Sequence, residues 1–433
     1  MNEIVAGLTA IFTVLLLFLT GIELGFAMAL VGFLGFCYIE STRAAVNLLA
    51  TDFFEVFTNY GYSVVPLFVL MGQVAFNSGI ARRLYAAAYK TIGHIPGGLA
   101  MATVMGATAF KAICGSSPGT AATFASVAVP EMDRYGYGKK LSTGVVATVG
   151  TLGILIPPSV TLIIFGIITE QSIGKLFLAG LVPGLIIALF FIFIIYGWCR
   201  VNPNMGPKGE KSTWRERAAH MPELLWVTVI FILVIGGLMK GLFTPTEAGS
   251  VGTFAVLLLS VLKRDIGIKG IVKSVVESLS TACMVLILIA GSVVFGHFLT
   301  STKMPMLAAD WIVKLPLHRD LIMICITLVY LIGGSFIDDL AFMILATPIF
   351  FPAAIKLGFD PLWFCITVGI TVMIGVVIPP LAINVFVVKN ITKVPFNVIY
   401  KGVCPFLLGL VACAVLLFLF PQIALFVPNM FSK

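Results

Sequence analysis

Charge is what this sequence has least of. Only 11% of its residues are Asp, Glu, Lys or Arg, against 60% hydrophobic. A soluble chain keeps roughly a quarter of its residues charged to cover its surface, so this surface is made to face hydrocarbon. No long polar stretch is present that could fold as a separate soluble domain. The sequence contains no Gly-x-x-x-x-Gly-Lys-Ser/Thr loop to cradle nucleotide phosphates. It has neither a CxxC motif nor a Cys/His pair at ligand spacing, which argues against a soft-metal site. Its eight cysteines lie mostly within or beside apolar runs and read as small hydrophobes without disulfides. A membrane enzyme would need a nucleophile–base pair or a metal cluster at one depth, and neither is apparent. Met1–Glu3 carries no basic residue, so no cleavable signal is expected. The formal charge of +8 is spread between apolar spans rather than gathered in a patch. That excludes a nucleic-acid reading and leaves the basic residues as topology signals.

What is abundant is apolar runs of about the 20 residues a membrane helix needs. They fall near 4–20, 23–39, 62–78, 97–114, 119–130, 141–171, 175–198, 223–240, 246–262, 275–298, 321–337, 340–352, 362–390 and 399–420. Two adjacent pairs leave too little chain between them for a loop. One turns at Gly115-Ser116-Ser117-Pro118, the other at Asp338-Asp339, and each has a short second member. Both read as re-entrant hairpins, about 97–131 and 321–353. Two further spans, about 141–171 and 362–390, contain Pro157-Pro158 and Pro379-Pro380. Proline removes a backbone donor and clashes with the preceding turn. A helix broken this way inside a membrane must face protein or a polar cavity.

The two double prolines are 222 residues apart, and the same offset carries Ser116-Ser117 onto Asp338-Asp339, Pro130 onto Pro352, Gly153 onto Gly375 and Pro183 onto Pro405. The chain therefore reads as two repeats, 1–199 and 222–421. A charged cytoplasmic linker, 200–221, joins them, and a tail, 422–433, follows. With each hairpin entering and leaving on one side, each repeat crosses the membrane five times and the second is inverted. The positive-inside rule then places 18 of the 27 Lys and Arg in the cytoplasm and eight outside (Lys433 among them), with Lys111 inside a hairpin. Both termini fall outside. The basic stretches Ala81–His94 and Lys303–Arg319 would lie on opposite membrane surfaces as arms between a static and a mobile part. The expected fold is an all-α integral membrane protein, an inverted repeat with two re-entrant hairpins and two broken helices, moving as an elevator.

Paired interrupted segments point to a transporter's binding site. Around the first tip, Ser116, Ser117, Gly150, Thr151, Gly153 and Pro157 offer hydroxyl and carbonyl oxygens suited to Na⁺. By the repeat, Gly334, Asp338, Thr371, Gly375, Ile378 and Pro379 form a second Na⁺ site. Helix N-termini after each tip suit a carboxylate; the expected substrate contacts are Ser117, Gly119, Lys111, Asp339, Pro158 and Pro380. The two aspartates have three open roles: Na⁺ ligand, helix cap, or proton carrier. Lys111 also has three: attracting the anion, pairing with a carboxylate, or snorkelling to the cytoplasmic surface.

Several stretches resemble the large membrane subunit of TRAP (tripartite ATP-independent periplasmic) transporters. They are AICGSSPGTAA at 112–122, GTLGILIPPS at 150–159, SIGKLFLAG at 172–180, GSFIDD at 334–339, GVVIPP at 375–380 and NVFVV at 384–388. The resemblance covers nearly the whole chain. It implies a bacterial inner-membrane importer of organic acids, such as C4-dicarboxylates or sialic acid, driven by Na⁺ rather than ATP. It further implies a small four-helix membrane subunit and a periplasmic substrate-binding protein as partners. Two positions depart from the family pattern: Lys111 stands where a small residue is expected, and Asp339 where proline is usual. The rival reading is a stand-alone Na⁺- or H⁺-coupled anion symporter or exchanger that needs no binding protein.

Overall fold

The computed structural model describes residues 3–431, and every regular element among them is helical. The first half holds α1 (Glu3–Leu19), α2 (Leu24–Ile39), α3 (Thr42–Thr58), α4 (Val64–Asn77), α5 (Ile80–Ile92), α6 (Gly98–Lys111), α7 (Ser117–Arg134), α8 (Lys139–Val149), α9 (Val160–Ile168) and α10 (Ile173–Val201). The second holds α11 (Trp214–Met239), α12 (Pro245–Leu262), α13 (Ile268–Ser301), α14 (Met304–Val313), α15 (Arg319–Phe336), α16 (Asp339–Lys356), α17 (Pro361–Gly375), α18 (Ile383–Thr392), α19 (Phe396–Leu419) and α20 (Gln422–Met430). Among the described residues, seven helices are long and apolar enough to cross a bilayer as single rods. An eighth span arises if α3 and the Tyr60–Asn77 segment, bent by 53°, count as one.

Caps and breakers fix where the helices begin. Ser116 accepts a hydrogen bond from Gly119 N, and Pro118 occupies the first turn of α7. There a missing N–H costs nothing. Thr213 with Glu216, and Thr244 with Glu247, form capping boxes that start α11 and α12. Close approaches depend on small residues. A side chain at Gly144 or Gly402 would strike the other's backbone, which lets α8 and α19 touch. Gly25 and Gly291 do the same for α2 and α13.

The packing separates two groups of helices, each drawn from both halves. In one, α2 and α4 pack against α13, α4 against α12, and α11 against α12. In the other, α8 packs against α19, α7 against α18, α15 against α17, and α10 against α19 and α20. Helix α5 lies between α6 and α11, and α14 lies against α16. Ion pairs fasten both of these short helices. Arg83 on α5 meets Glu223 at 3.0 Å and also Asp265, while Lys356 on α16 meets Asp310 on α14 at 2.7 Å.

Four expectations are corrected. The apolar runs left 40–61 without an element, because Arg43, Asp52 and Glu55 interrupt it, and α3 lies there. The structure buries Asp52 to 2% exposure and pairs it with His297 Nδ1 at 2.8 Å. The second members of the hairpins are full helices of 18 residues each, since Pro130 and Pro352 are accommodated inside α7 and α16. Within the expected tail, Gln422–Met430 is the helix α20, seated on α10. Lys433, counted on the outer side, lies outside the described residues. Finally, α11 begins at Trp214, inside the expected linker. The preceding loop is bonded to the first hairpin's base: Gly97 N donates to Gly206 O at 2.8 Å, and Gly138 N to Met205 O at 3.0 Å.

Candidate functional site

Helices α6 and α7 form the first hairpin and α15 and α16 the second, and their tips open onto one cavity of 690 Å³. Ser116–Gly119 lines it from one tip and Asp338–Ala341 from the other. The facing wall comes from α4 and α13, including Gln73, Glu277 and Thr281. Asn77 Nδ2 donates to Glu277 Oε2 at 3.0 Å, which holds that carboxylate in place. Four carboxylates line the cavity (Glu23, Glu277, Asp338 and Asp339), with no Lys or Arg among the lining residues.

Each tip presents a helix start to this space. At the second, Asp338 Oδ1 accepts from Leu340 N at 3.2 Å and Ala341 N at 3.3 Å, so the capping role is realised. At the first, Ser117 is buried and Ser116 is exposed to the cavity.

Behind the first tip, the region before Pro157 is not α-helical. Gly150–Ile154 is a 3₁₀ segment, and the chain then runs irregularly to α9. The structure joins it to the tip at two points. A Cβ at Gly150 would lie 3.1 Å from Ser117 O, and one at Gly115 would lie 2.7 Å from Pro158 O. The Thr151 hydroxyl turns away and donates to Thr148 O at 2.7 Å. Behind the second tip, a Cβ at Gly375 would lie 2.9 Å from the Gly334 carbonyl carbon, and Leu381 N donates to Ser335 O at 3.1 Å. The Thr371 hydroxyl donates within α17 to Thr367 O at 2.9 Å. Among the described residues, no hydrogen bond joins Asp338 to Thr371, Ile378 or Pro379. The two breaks differ in setting: Pro157 and Pro158 are buried, while Pro379 and Pro380 are exposed. In both, the bond between the two prolines is cis.

Of the expected substrate contacts, Ser117, Gly119 and Asp339 line the cavity, whereas Lys111, Pro158 and Pro380 do not. Lys111 is the clearest correction. Its side chain is 0% exposed, so it does not snorkel, and its Nζ donates to Ser116 O at 2.7 Å. It makes no ion pair with a carboxylate among the described residues.

One site residue escaped the sequence reading. Asn384, at the start of α18, is fully buried. Its Nδ2 donates to Ser117 Oγ and to Ala147 O, both at 3.1 Å, and Ser117 Oγ lies 3.3 Å from its Oδ1. The signal was a lone amide in the apolar run NVFVV, which a membrane helix retains only with partners.

Comparison with known proteins fits this architecture. The family model described as "Tripartite ATP-independent periplasmic transporter, DctM component" matches residues 11–423. The C4-dicarboxylate TRAP transporter large permease protein DctM of Pseudomonas aeruginosa is 35% identical over 89% of this chain and 90% of its own length. The sialic acid TRAP transporter large permease protein SiaM of Vibrio cholerae is 30% identical over 98% of both. The isethionate TRAP transporter permease protein DctMQ of Oleidesulfovibrio alaskensis is 31% identical over 88% of this chain and 60% of its own length. Among solved structures, the YdaH transporter of Alcanivorax borkumensis shares the fold, with TM-score 0.60 and 12% identity over 89% of each chain. With a family match over nearly its whole length, this chain belongs to the large permease (DctM) component of the tripartite ATP-independent periplasmic transporters.

Proposed function

We propose that this chain is the subunit through which an organic acid, delivered by a periplasmic binding protein, crosses the bacterial inner membrane together with Na⁺. The observation that supports this reading most is the meeting of both hairpin tips on one cavity, with α7 and α16 starting there. Helix N-termini offer N–H groups and partial positive charge to a carboxylate. Four acidic side chains and no basic one line the same cavity, and among the described residues only Glu277 of the four has a basic partner, Lys273 at 3.7 Å behind the wall. Like charges repel more strongly away from bulk water. An anion is therefore accommodated only if cations enter with it or the carboxylates are neutralised, which favours cation-coupled uptake over passive entry.

On this reading the helices of the two hairpins and two breaks move as an elevator against α2, α4, α12 and α13, with α5 and α14 as the arms. The two halves are inverted repeats, and both termini are periplasmic. A small membrane subunit and a soluble binding protein complete the system. Relatives named for C4-dicarboxylate, sialic acid and isethionate support an organic acid as the substrate.

The test is uptake of a labelled carboxylate panel into proteoliposomes holding this chain with its small subunit, with and without the binding protein. Uptake is expected only with an inward Na⁺ gradient and the binding protein present. Equal uptake without the gradient would remove the coupling, and equal uptake without the binding protein would favour a stand-alone symporter.

A further inference from the structure

Lys111 ends α6 inside the first hairpin, and its repeat counterpart 222 residues on is Gly333. The lysine is completely buried, yet it does not line the cavity and, among the described residues, forms no ion pair with a carboxylate. It is spent on backbone that the Na⁺ reading assigns to the first ion site. Its Nζ donates to Ser116 O at 2.7 Å. The same oxygen also accepts from Thr120 Oγ1 at 3.0 Å and Thr120 N at 3.2 Å. Three donors therefore already crowd this carbonyl oxygen, whose two lone pairs are the ones a metal ion would have to share. The Ser116 hydroxyl accepts from Gly119 N at 3.1 Å.

The other side of the expected site is filled by the same side chain. A Cβ at Gly153 would lie 2.8 Å from Lys111 Cε and closer still to Nζ. The end of the lysine thus lies between the tip carbonyl and the 3₁₀ segment, where the ion was expected. The second tip has no such occupant. A Cβ at Gly333 would run into the Phe342 ring, and Gly334 has open space beside it.

We propose that in this chain the Lys111 ammonium replaces the sodium ion of the first hairpin site, as a cation tethered to the protein, so that only the second tip binds Na⁺. This rests on the Na⁺-coupled reading above. A tethered cation is not released at the end of the cycle. It holds the tip against Gly153 but draws nothing from the gradient, so each solute is coupled to one sodium ion fewer. The position is unusual in the repeat because the counterpart is glycine, and it is the one at which a small residue was expected.

The experiment is calorimetric titration of Na⁺, against choline, into the complex of this full chain with its small membrane subunit, wild type and Lys111→Ala. The wild type is expected to bind a single Na⁺ and the variant one more. An unchanged, non-zero number in the variant overturns the role of Lys111 and leaves Na⁺ coupling standing. So does a wild type that binds two or more, a result that needs no folded variant. If neither protein binds Na⁺, the coupling itself fails and this proposal falls with it.

Discussion

Ser117 and Asn384 are 267 residues apart and bonded to one another inside the protein. The first belongs to the tip of the first hairpin, the second to the helix that follows the second break. Asn384 therefore ties the two halves together directly behind the cavity wall. Replacing it with Leu leaves Ser117 Oγ and Ala147 O without their donor. Each orphaned buried group costs about 1–3 kcal/mol. The variant is expected to unfold at lower temperature in detergent and to transport poorly. An unchanged melting temperature would show that the amide is dispensable.

Gly153 and Lys111 compete for the same space. Gly153→Ala alone is expected to cost about 1–3 kcal/mol by overpacking. In a Lys111→Ala background the added methyl has room, and most of that cost should vanish. A double-mutant cycle on thermal stability measures the coupling. Additive effects would place the lysine elsewhere.

The second tip gives a contrasting pair. A side chain at Gly375 meets the backbone of Gly334 and Ser335, which cannot step aside, whereas one at Gly334 meets open space. Gly375→Ala is expected to lower uptake about tenfold or more, the equivalent of losing about 1.4 kcal/mol at the rate-limiting step. Gly334→Ala should transport nearly as wild type. Equal behaviour of the two would mean that this contact does not govern transport.

Asp338 caps α16 through Leu340 N and Ala341 N. Asparagine caps as well as aspartate, while alanine costs about 0.5–2 kcal/mol. Asp338→Asn should therefore keep stability, and any rise in the Na⁺ concentration needed for uptake would then be due to the lost charge. If Asn and wild type share one Na⁺ dependence, capping is the whole role.

The membrane spans and both interruptions were legible in the sequence because hydrocarbon enforces apolar length and Pro-Pro cannot continue a helix. Helix α3 was not. Its buried Asp52 looks like a surface residue until His297, 245 residues away, is brought beside it. Lys111 was visible as an anomaly, but its role was not. Burial, the bond to Ser116 O and the contact with Gly153 all depend on how the break folds against the tip. Asn384 fell between these cases: its presence could be read, its partners could not.

The loop before α11 runs beside the joint between α5 and α6, bonded to Gly97 through Gly206 and to Gly93 through Gly209. Two lengths of chain therefore cross that joint side by side, like a splint on a wrist. The other end of α5 turns at Gly79, where φ is +72° and a Cβ would have open space. The Arg83 ion pairs lie one turn beyond it. If the first hairpin travels, bending belongs at Gly79, and α5 swings with its cargo as one stiff lever.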